Sequence, residues 1–355
     1  MPVELSYSQW LRQELYIAYL FARHHKRSTV NQLDFELHLE SNIEELVNAI
    51  ATRNYQVHPG IAFVVDRPKI REVFAATFRD RVVHHLVYNH MFFYWEKHFI
   101  YDSYSCRPKK GTHFGIKRIH TFMRRATRNY TRPAWIMKMD ISGYFMHIKK
   151  DLVWQFCQRM LDDPTFTQTP DSKDLLRYLL PIIIFHDPTQ NVRLKGRPKL
   201  WAQLPPGKSL FHTPRDRGFP IGNLTSQLFS NIYLNELDQF VTHQLHIPYY
   251  GRYVDDFILI HQDKNYLLHC RQQIRDFLSQ RLFLTLHPVK FYLQPVTYGV
   301  EFIGAKIFPH QVIASSRINR RLEEFIDTTY LQDQCHRWEN SLASYCGHWV
   351  SYDRC

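Results

Sequence analysis

Tyr249-Tyr250-Gly251-Arg252-Tyr253-Val254-Asp255-Asp256-Phe257-Ile258-Leu259-Ile260 is the stretch that decides the fold. Its two halves are rich in β-branched and aromatic residues and read as strands, with the acidic pair as a tight turn between them. The expected hairpin presents Asp255 and Asp256 at its tip. Vicinal carboxylates repel one another, and when held together they call for a hard divalent cation bound through oxygen, most naturally Mg²⁺. Asp-Asp is also an ordinary turn dipeptide, so the rest of the chain has to supply what a metal-dependent site needs.

A second anchor lies upstream. Ala134-Trp135-Ile136-Met137-Lys138-Met139-Asp140 is an apolar strand ending in one acid, and Ser142-Gly143-Tyr144-Phe145 turns the chain toward a helix over 152–161. An acid at a strand terminus beside an acidic hairpin is how a two-metal site is assembled. Downstream, Lys290 in His287-Pro-Val-Lys-Phe would place a cation near a leaving group or act as its general acid; an exposed loop lysine is the plainer reading. A helix over 266–282 and a strand over 282–286 precede it, and a last helical stretch starts at Ser316.

The composition agrees with a folded protein bound to a polyanion. Of 355 residues 45% are apolar and 15% aromatic, with only 12 Gly, which argues against disorder and repeats. The formal net charge of +12 and a pI near 9.4 favour a phosphate-bearing partner. No basic amphipathic helix stands out for a membrane surface. The longest apolar run, 175–185, carries Arg177 and Pro181 and is too short for a bilayer. The N-terminus lacks the build of a signal peptide. Six Cys show no metal-ligand spacing, so reduced thiols and a cytoplasmic location are expected.

The basic residues fall in particular places. Residues 61–74 read as strand, turn, strand, a hairpin with Lys69 and Arg71 at or beyond its turn, which could swing over a triphosphate. Arg107, Lys109 and Lys110 lie in an irregular loop leading into a helix over 114–128. That helix carries Lys117, Arg118, Arg124, Arg125 and Arg128 outside, with Ile116, Ile119, Phe122 and Met123 inside. Loop and helix read equally as a nucleic-acid backbone track or as a solvated face. Residues 186–217 form a long Pro-, Gly- and Lys/Arg-rich stretch expected to be an irregular insertion. Gly222 then offers bare backbone for close approach of a nucleotide, before a helix over 228–241.

Taken in order, these pieces resemble the fingers-palm-thumb succession of bacterial reverse transcriptases over roughly residues 60–310, and Tyr253-Val254-Asp255-Asp256 is similar to their active-site Tyr-x-Asp-Asp. The resemblance implies an α+β right-hand fold, with an antiparallel palm sheet backed by helices and a short helical thumb. The corresponding divisions are 1–133 (N-terminal helices and fingers), 134–310 (palm) and 311–355 (thumb). It implies an RNA-directed DNA polymerase that copies template RNA into cDNA from a primer and dNTPs, using two Mg²⁺ ions with Mn²⁺ as a substitute. Asp140, Asp255 and Asp256 match the metal-binding acids, and Ile141 would lend a backbone carbonyl. Phe145 matches the aromatic gate that collides with a ribose 2′-hydroxyl. Lys69 and Arg71 match the triphosphate-gripping residues approximately, Phe302-Ile303-Gly304 resembles the primer grip, and the Arg107–Lys110 loop would touch nucleic acid.

One departure narrows the resemblance. Most reverse transcriptases have Gln-Gly-x-x-x-Ser-Pro where this chain has Ile221-Gly222-Asn-Leu-Thr-Ser226-Gln227, a form similar to that of diversity-generating retroelement enzymes. Replacing an amide by Ile221 beside the incoming sugar removes a hydrogen bond, so low fidelity is expected, concentrated at template adenines as in that family. The short thumb implies outside help from a small basic accessory protein and a structured template RNA; neither an RNase H nor an integrase domain is expected. The rivals are a retron-type or antiphage defence-associated reverse transcriptase copying a dedicated non-coding RNA, and a non-catalytic RNA-binding protein on the same scaffold.

Overall fold

The computed structural model describes residues 5–24, 29–66, 69–316 and 320. Two compact units are each drawn from two chain segments: Met1–Phe99 with Gly143–Leu234, and Ile100–Ser142 with Asn235–Cys355. The first segment of the first unit holds α1 (Tyr7–Arg23), α2 (Val30–Leu37), α3 (Leu39–Ala51), β1 (Ile61–Val65), β2 (Arg71–Ala75) and α4 (Phe78–His98). The chain then supplies the second unit with α5 (Thr112–Ala126) and β3 (Trp135–Ile141). It returns to the first with α6 (Tyr144–His147), α7 (Lys150–Asp162), α8 (Pro170–Phe185), β4 (Arg193–Lys195), α9 (Pro198–Ala202) and most of α10 (Leu224–Gln239). The end of α10 and a π-helical turn (Phe240–Gln244) open the last segment, followed by β5 (Tyr249–Tyr253), β6 (Asp256–His261), α11 (Lys264–Arg281), β7 (Leu286–Pro295), β8 (Val300–Phe302), β9 (Ala305–Ile307) and β10 (Val312–Ala314).

In the first unit β1 and β2 form the expected antiparallel hairpin, and β4 adds to β1 in parallel. Helix starts follow local chemistry. Ser6 and Gln9 make a reciprocal capping box on α1, and Thr77 caps α4 by accepting from Asp80 N. Asp80 itself is buried and accepts from Tyr55 Oη (2.8 Å) and His58 N (2.9 Å). Within 186–217, expected to be irregular, stand β4, α9 and two 3₁₀ turns. The buried Glu72 anchors this segment, its carboxylate accepting from Ser209 Oγ (2.8 Å) and Leu210 N (2.7 Å).

The second unit is built on a four-stranded antiparallel sheet in the order β5-β6-β3-β7. Strand alternation puts Ile136, Lys138 and Asp140 on one face, opposite Ile260, Ile258 and Asp256 in register. On that face α5 buries Ile116, Ile119, Phe122 and Met123 with Ile136, Ile258 and Ile260 in one apolar cluster. The small β8-β9-β10 sheet contributes Phe302, Ala305 and Ile307 to the same cluster. The strand expected at 282–286 starts instead at Leu286 and runs on through Pro288 and Lys290. It lies at the sheet edge, where a proline's missing N–H removes no ladder bond.

The fold is therefore α+β, an antiparallel sheet backed by helices. The thumb expected over 311–355 falls outside the described residues beyond Ser316, apart from residue 320. Among the described residues no helix is long and apolar enough to cross a membrane.

Candidate active site

Asp140 ends β3 directly opposite Asp256, the first residue of β6. Their side chains share a sheet face because cross-strand partners do. The β3–β7 register shifts between Met139 and Ile141, a bulge that places an irregularity at Asp140 itself. Tyr253 pairs with Asp256, so the two turn residues are Val254 and Asp255 rather than the two acids. Val254 takes φ +55°, a left-handed conformation that is an outlier for a β-branched residue and costs about 1–3 kcal/mol. Ile141 N donates to Asp255 O at 3.2 Å, tying the strand end to the turn.

Two residues that the sequence reading passed over hold this turn. Arg252 is fully buried; its Nε and Nη2 donate to Asp238 Oδ1 (2.7 Å) and Oδ2 (2.6 Å), and its Nη1 donates to Val254 O (2.9 Å). Tyr250 Oη also donates to Asp238 Oδ1 at 2.7 Å. A buried guanidinium thus fixes the carbonyl immediately before Asp255. The available signals were a charged residue inside a strand-like run and an acid on the apolar side of the helix before it.

Lysines neutralise the acids. Lys290 Nζ donates to Asp140 Oδ1 at 2.7 Å, and Lys138 Nζ lies 3.1 Å from Asp256 Oδ2 while donating to Glu301 O at 2.8 Å. Burial lifts the Asp256 carboxyl to about 6, against the pull of Lys138 and with a push from Asp140 and Asp255. Asp256 Oδ1 is buried with no hydrogen-bond partner. Among the described residues no three His, Cys, Asp or Glu side chains form a group that could hold a metal. The structure therefore opposes Asp140 and Asp256 but does not gather the three carboxylates of 140, 255 and 256 into one cluster.

The nucleotide-site candidates lie in the first unit. Phe145 on α6 and Ile221 both pack on the cluster of Ala62, Phe74, Met146 and Leu210, and Phe219 N donates to Phe145 O at 2.9 Å. Ile221 O accepts from Phe74 N at 2.9 Å. Gly222 follows at φ +129°, where a Cβ would stand 2.5 Å from Phe74 O, so only glycine fits. Gln227 lies on α10, half-buried. Lys69 and Arg71 are exposed, and strand alternation turns Arg71 outward where its neighbour Glu72 is buried.

The nucleic-acid candidates divide. Arg107 is buried, its Nη1 donating to Ile100 O (2.6 Å) and Ser103 O (2.9 Å) inside the loop. Lys109 is exposed at φ +59°. Lys110 sits over the Tyr101 ring, 4.3 Å from its centroid. Phe302 is buried in the apolar cluster, and Ile303 (φ +41°) with Gly304 (φ +90°) makes the two-residue turn between β8 and β9, both positive as a tight hairpin requires.

Residues 66–307 match the family model described as reverse transcriptase (RNA-dependent DNA polymerase). The chain belongs to the reverse transcriptase family. By class it is a nucleotidyltransferase, an RNA-directed DNA polymerase. A curated relative, Protein YkfC of Escherichia coli (strain K12), is 23% identical over 316 residues, covering 78% of this chain and 74% of its own. Among solved structures, apo telomerase from Candida tropicalis truncated from its C-terminal domain aligns at TM-score 0.49 and 14% identity, covering 76% of this chain and 59% of that one. Telomerase from Candida albicans in complex with a fragment of telomeric RNA aligns at TM-score 0.49 and 10% identity, covering 75% and 48%. This reverse transcriptase thus spans about half to three-fifths of those telomerase chains.

Reverse transcriptases use Mg²⁺ in catalysis, and the donor chemistry here suits that ion, although among the described residues the three carboxylates are not gathered into a finished metal site. The donors are all oxygens, as a hard cation prefers. One of them, Asp256 Oδ1, is a buried acceptor without a donor, which is the kind of atom a cation satisfies.

Proposed function

We propose that this reverse transcriptase copies an RNA template into cDNA at Asp140, Asp255 and Asp256, with two Mg²⁺ ions (Mn²⁺ as a substitute) held by those acids and the Ile141 carbonyl. Bound there, the ions would acidify the primer 3′-hydroxyl and neutralise charge on the departing pyrophosphate. The observation that carries the reading is the cross-strand opposition of Asp140 and Asp256 beside an unsatisfied buried carboxylate oxygen. Lys290, now on Asp140, would hand a proton to the leaving group once that acid is engaged elsewhere. Lys69 and Arg71 would neutralise the triphosphate, and Phe145 would exclude a ribose 2′-hydroxyl. Gly222 and Gln227 would line the nucleotide, and Phe302 with Gly304 would seat the primer end. Lys109 and Lys110, with Arg107 bracing their loop, would meet nucleic acid. In this scheme 1–133 serve as fingers, 134–310 as palm and 311–355 as thumb.

Low fidelity within a diversity-generating retroelement is the finer part of the proposal. Its support is that Ile221 packs among apolar side chains and offers no amide to a nucleotide. A small basic accessory protein would complete the grip on the template.

Primer extension on a defined RNA template with Mg²⁺ tests the core reading. Wild-type enzyme should extend, and Asp140→Ala or Asp255→Ala should lose extension; activity in both variants would refute it. Sequencing the products of Ile221→Gln tests fidelity, because an unchanged error spectrum removes that part.

A further inference from the structure

From Ser103 to Met139 the chain contains no acidic residue and ten Lys or Arg. Four of the ten are committed internally: Arg107 to loop carbonyls, Lys110 to the Tyr101 carbonyl and ring, Arg118 to Asp102, and Lys138 to Asp256 and Glu301 O. Five others, Lys117, Arg124, Arg125, Arg128 and Arg132, are exposed, and none makes an ion pair among the described residues. Residues 117, 124 and 125 fall on one side of α5 at 3.6 residues per turn, opposite the buried 116, 119, 122, 123 and 126, and Arg128 follows two positions beyond the helix end. The helical part of the stripe, from Lys117 to Arg125, is about 12 Å long at the helical rise.

The end of this stripe is held rigidly at a conformational cost. Arg128, Asn129 and Tyr130 are three successive non-glycine residues in left-handed backbone (φ +48°, +55°, +66°). Asn129 N donates to Arg124 O (2.8 Å), Tyr130 N to Thr127 Oγ1 (3.0 Å) and Arg132 N to Thr127 O (2.9 Å). The Tyr130 ring packs on His310 at 4.6 Å. Strain of this kind persists where the surroundings over-determine it, and it clusters at functional surfaces. Here it folds Arg128 and Arg132 back beside the helix end.

We infer that this stripe is a docking surface for a base-paired segment of RNA, gripped by its phosphates and separate from the acidic site. The inference deepens the proposed reading by naming a second RNA contact, and it does not require that reading's chemistry. The cluster under α5 runs from the Ile136–Ile260 pair to Ile258, four to two residue pairs from Asp140 and Asp256 on the same sheet face, or about 13 to 7 Å along the strands. Sequence-independent single-strand platforms stack bases on exposed aromatics. Among α5's own side chains the outer side shows none, because Phe114 and Phe122 both pack into the core cluster; the exposed Tyr101 lies against Phe114 and Arg118, at the N-terminal half of the helix and away from Arg124 and Arg125. A row of bare cations without aromatics suits the backbone of a duplex.

The test uses the full-length Asp255→Ala protein, so that copying does not enter, and a fluorescent 20-base-pair RNA hairpin titrated over a range of salt. Substituting Arg124, Arg125 and Arg128 by Gln should weaken binding at low salt at least tenfold. It should also lower the slope of log K against log salt by about 2.7, at about 0.9 per lost phosphate contact. Substituting the same three by Lys should keep affinity within a few-fold, which separates charge from folding. An unchanged slope in the Gln variant overturns the inference, as does tighter binding of single-stranded RNA or equal binding of a DNA duplex. Loss of extension in the Asp255→Ala protein with hairpin binding retained distinguishes the two sites.

Discussion

Asp238 receives both arms of the Arg252 guanidinium, and neither side chain has any exposed surface. The third contact of that guanidinium is the Val254 carbonyl at 2.9 Å, so a buried ion pair sets the path of the chain into Asp255. Removing one partner strands a buried charge at a cost of about 3–5 kcal/mol, and Asp238→Asn is expected to lose that much in urea unfolding. Arg252→Lys keeps the charge but cannot serve Asp238 and Val254 together. It should slow extension about tenfold or more with little change in KM for dNTP, because the turn and not nucleotide binding is affected. A KM effect with kcat unchanged would contradict this assignment.

Acid should destabilise the first unit through α4. His84 is buried with Nδ1 2.8 Å from Thr225 Oγ1, and burial lowers its pKa to about 4. His85 is lowered to about 4 by burial as well. Unfolded chains take up these protons near 6.5, whereas the folded protein resists until about 4. Stability is therefore full above pH 6.5 and is lost as pH falls toward 4, by up to about 2–3 kcal/mol for His84. His84→Asn should show a smaller stability difference between pH 7.5 and 4.5 than wild type in urea titrations. Equal differences would sink this account.

Gly222→Ala is expected to be costly although the residue is exposed. Its φ of +129° and the 2.5 Å approach of a Cβ to Phe74 O leave no room without breaking the Phe74–Ile221 hydrogen bond. A loss of about 1–3 kcal/mol should appear in thermal unfolding, together with a raised KM for dNTP. A variant with wild-type melting would show that the loop relaxes freely.

Phe145→Ala tests the gate. If the ring excludes the 2′-hydroxyl, the variant should lose about 10–100-fold of its preference for dNTP over rNTP in kcat/KM. A preserved preference assigns discrimination elsewhere.

Much of the sheet was legible because its periods are local. Ile136, Lys138 and Asp140 alternate in the sequence as they do on β3, and the acidic hairpin announced itself by composition. Register was not legible. A one-residue difference moved Asp256 from the expected tip into β6 and gave its place to Val254, because pairing depends on the partner strand and not on the turn alone. Arg107 shows a second limit, since a count of cations cannot tell a guanidinium spent on buried carbonyls from one facing solvent. Arg252 and Asp238 meet only when a helix and a strand fold together, and no spacing rule links them.

The division of the first unit into Met1–Phe99 and Gly143–Leu234 has a consequence for biosynthesis. At about 5–20 residues per second, a nascent chain holds β1 and β2 for several seconds before β4 and Ile221 leave the ribosome to cover them. The hairpin edge that β4 later pairs with stands open for that interval, which makes translation speed between these segments a determinant of soluble yield.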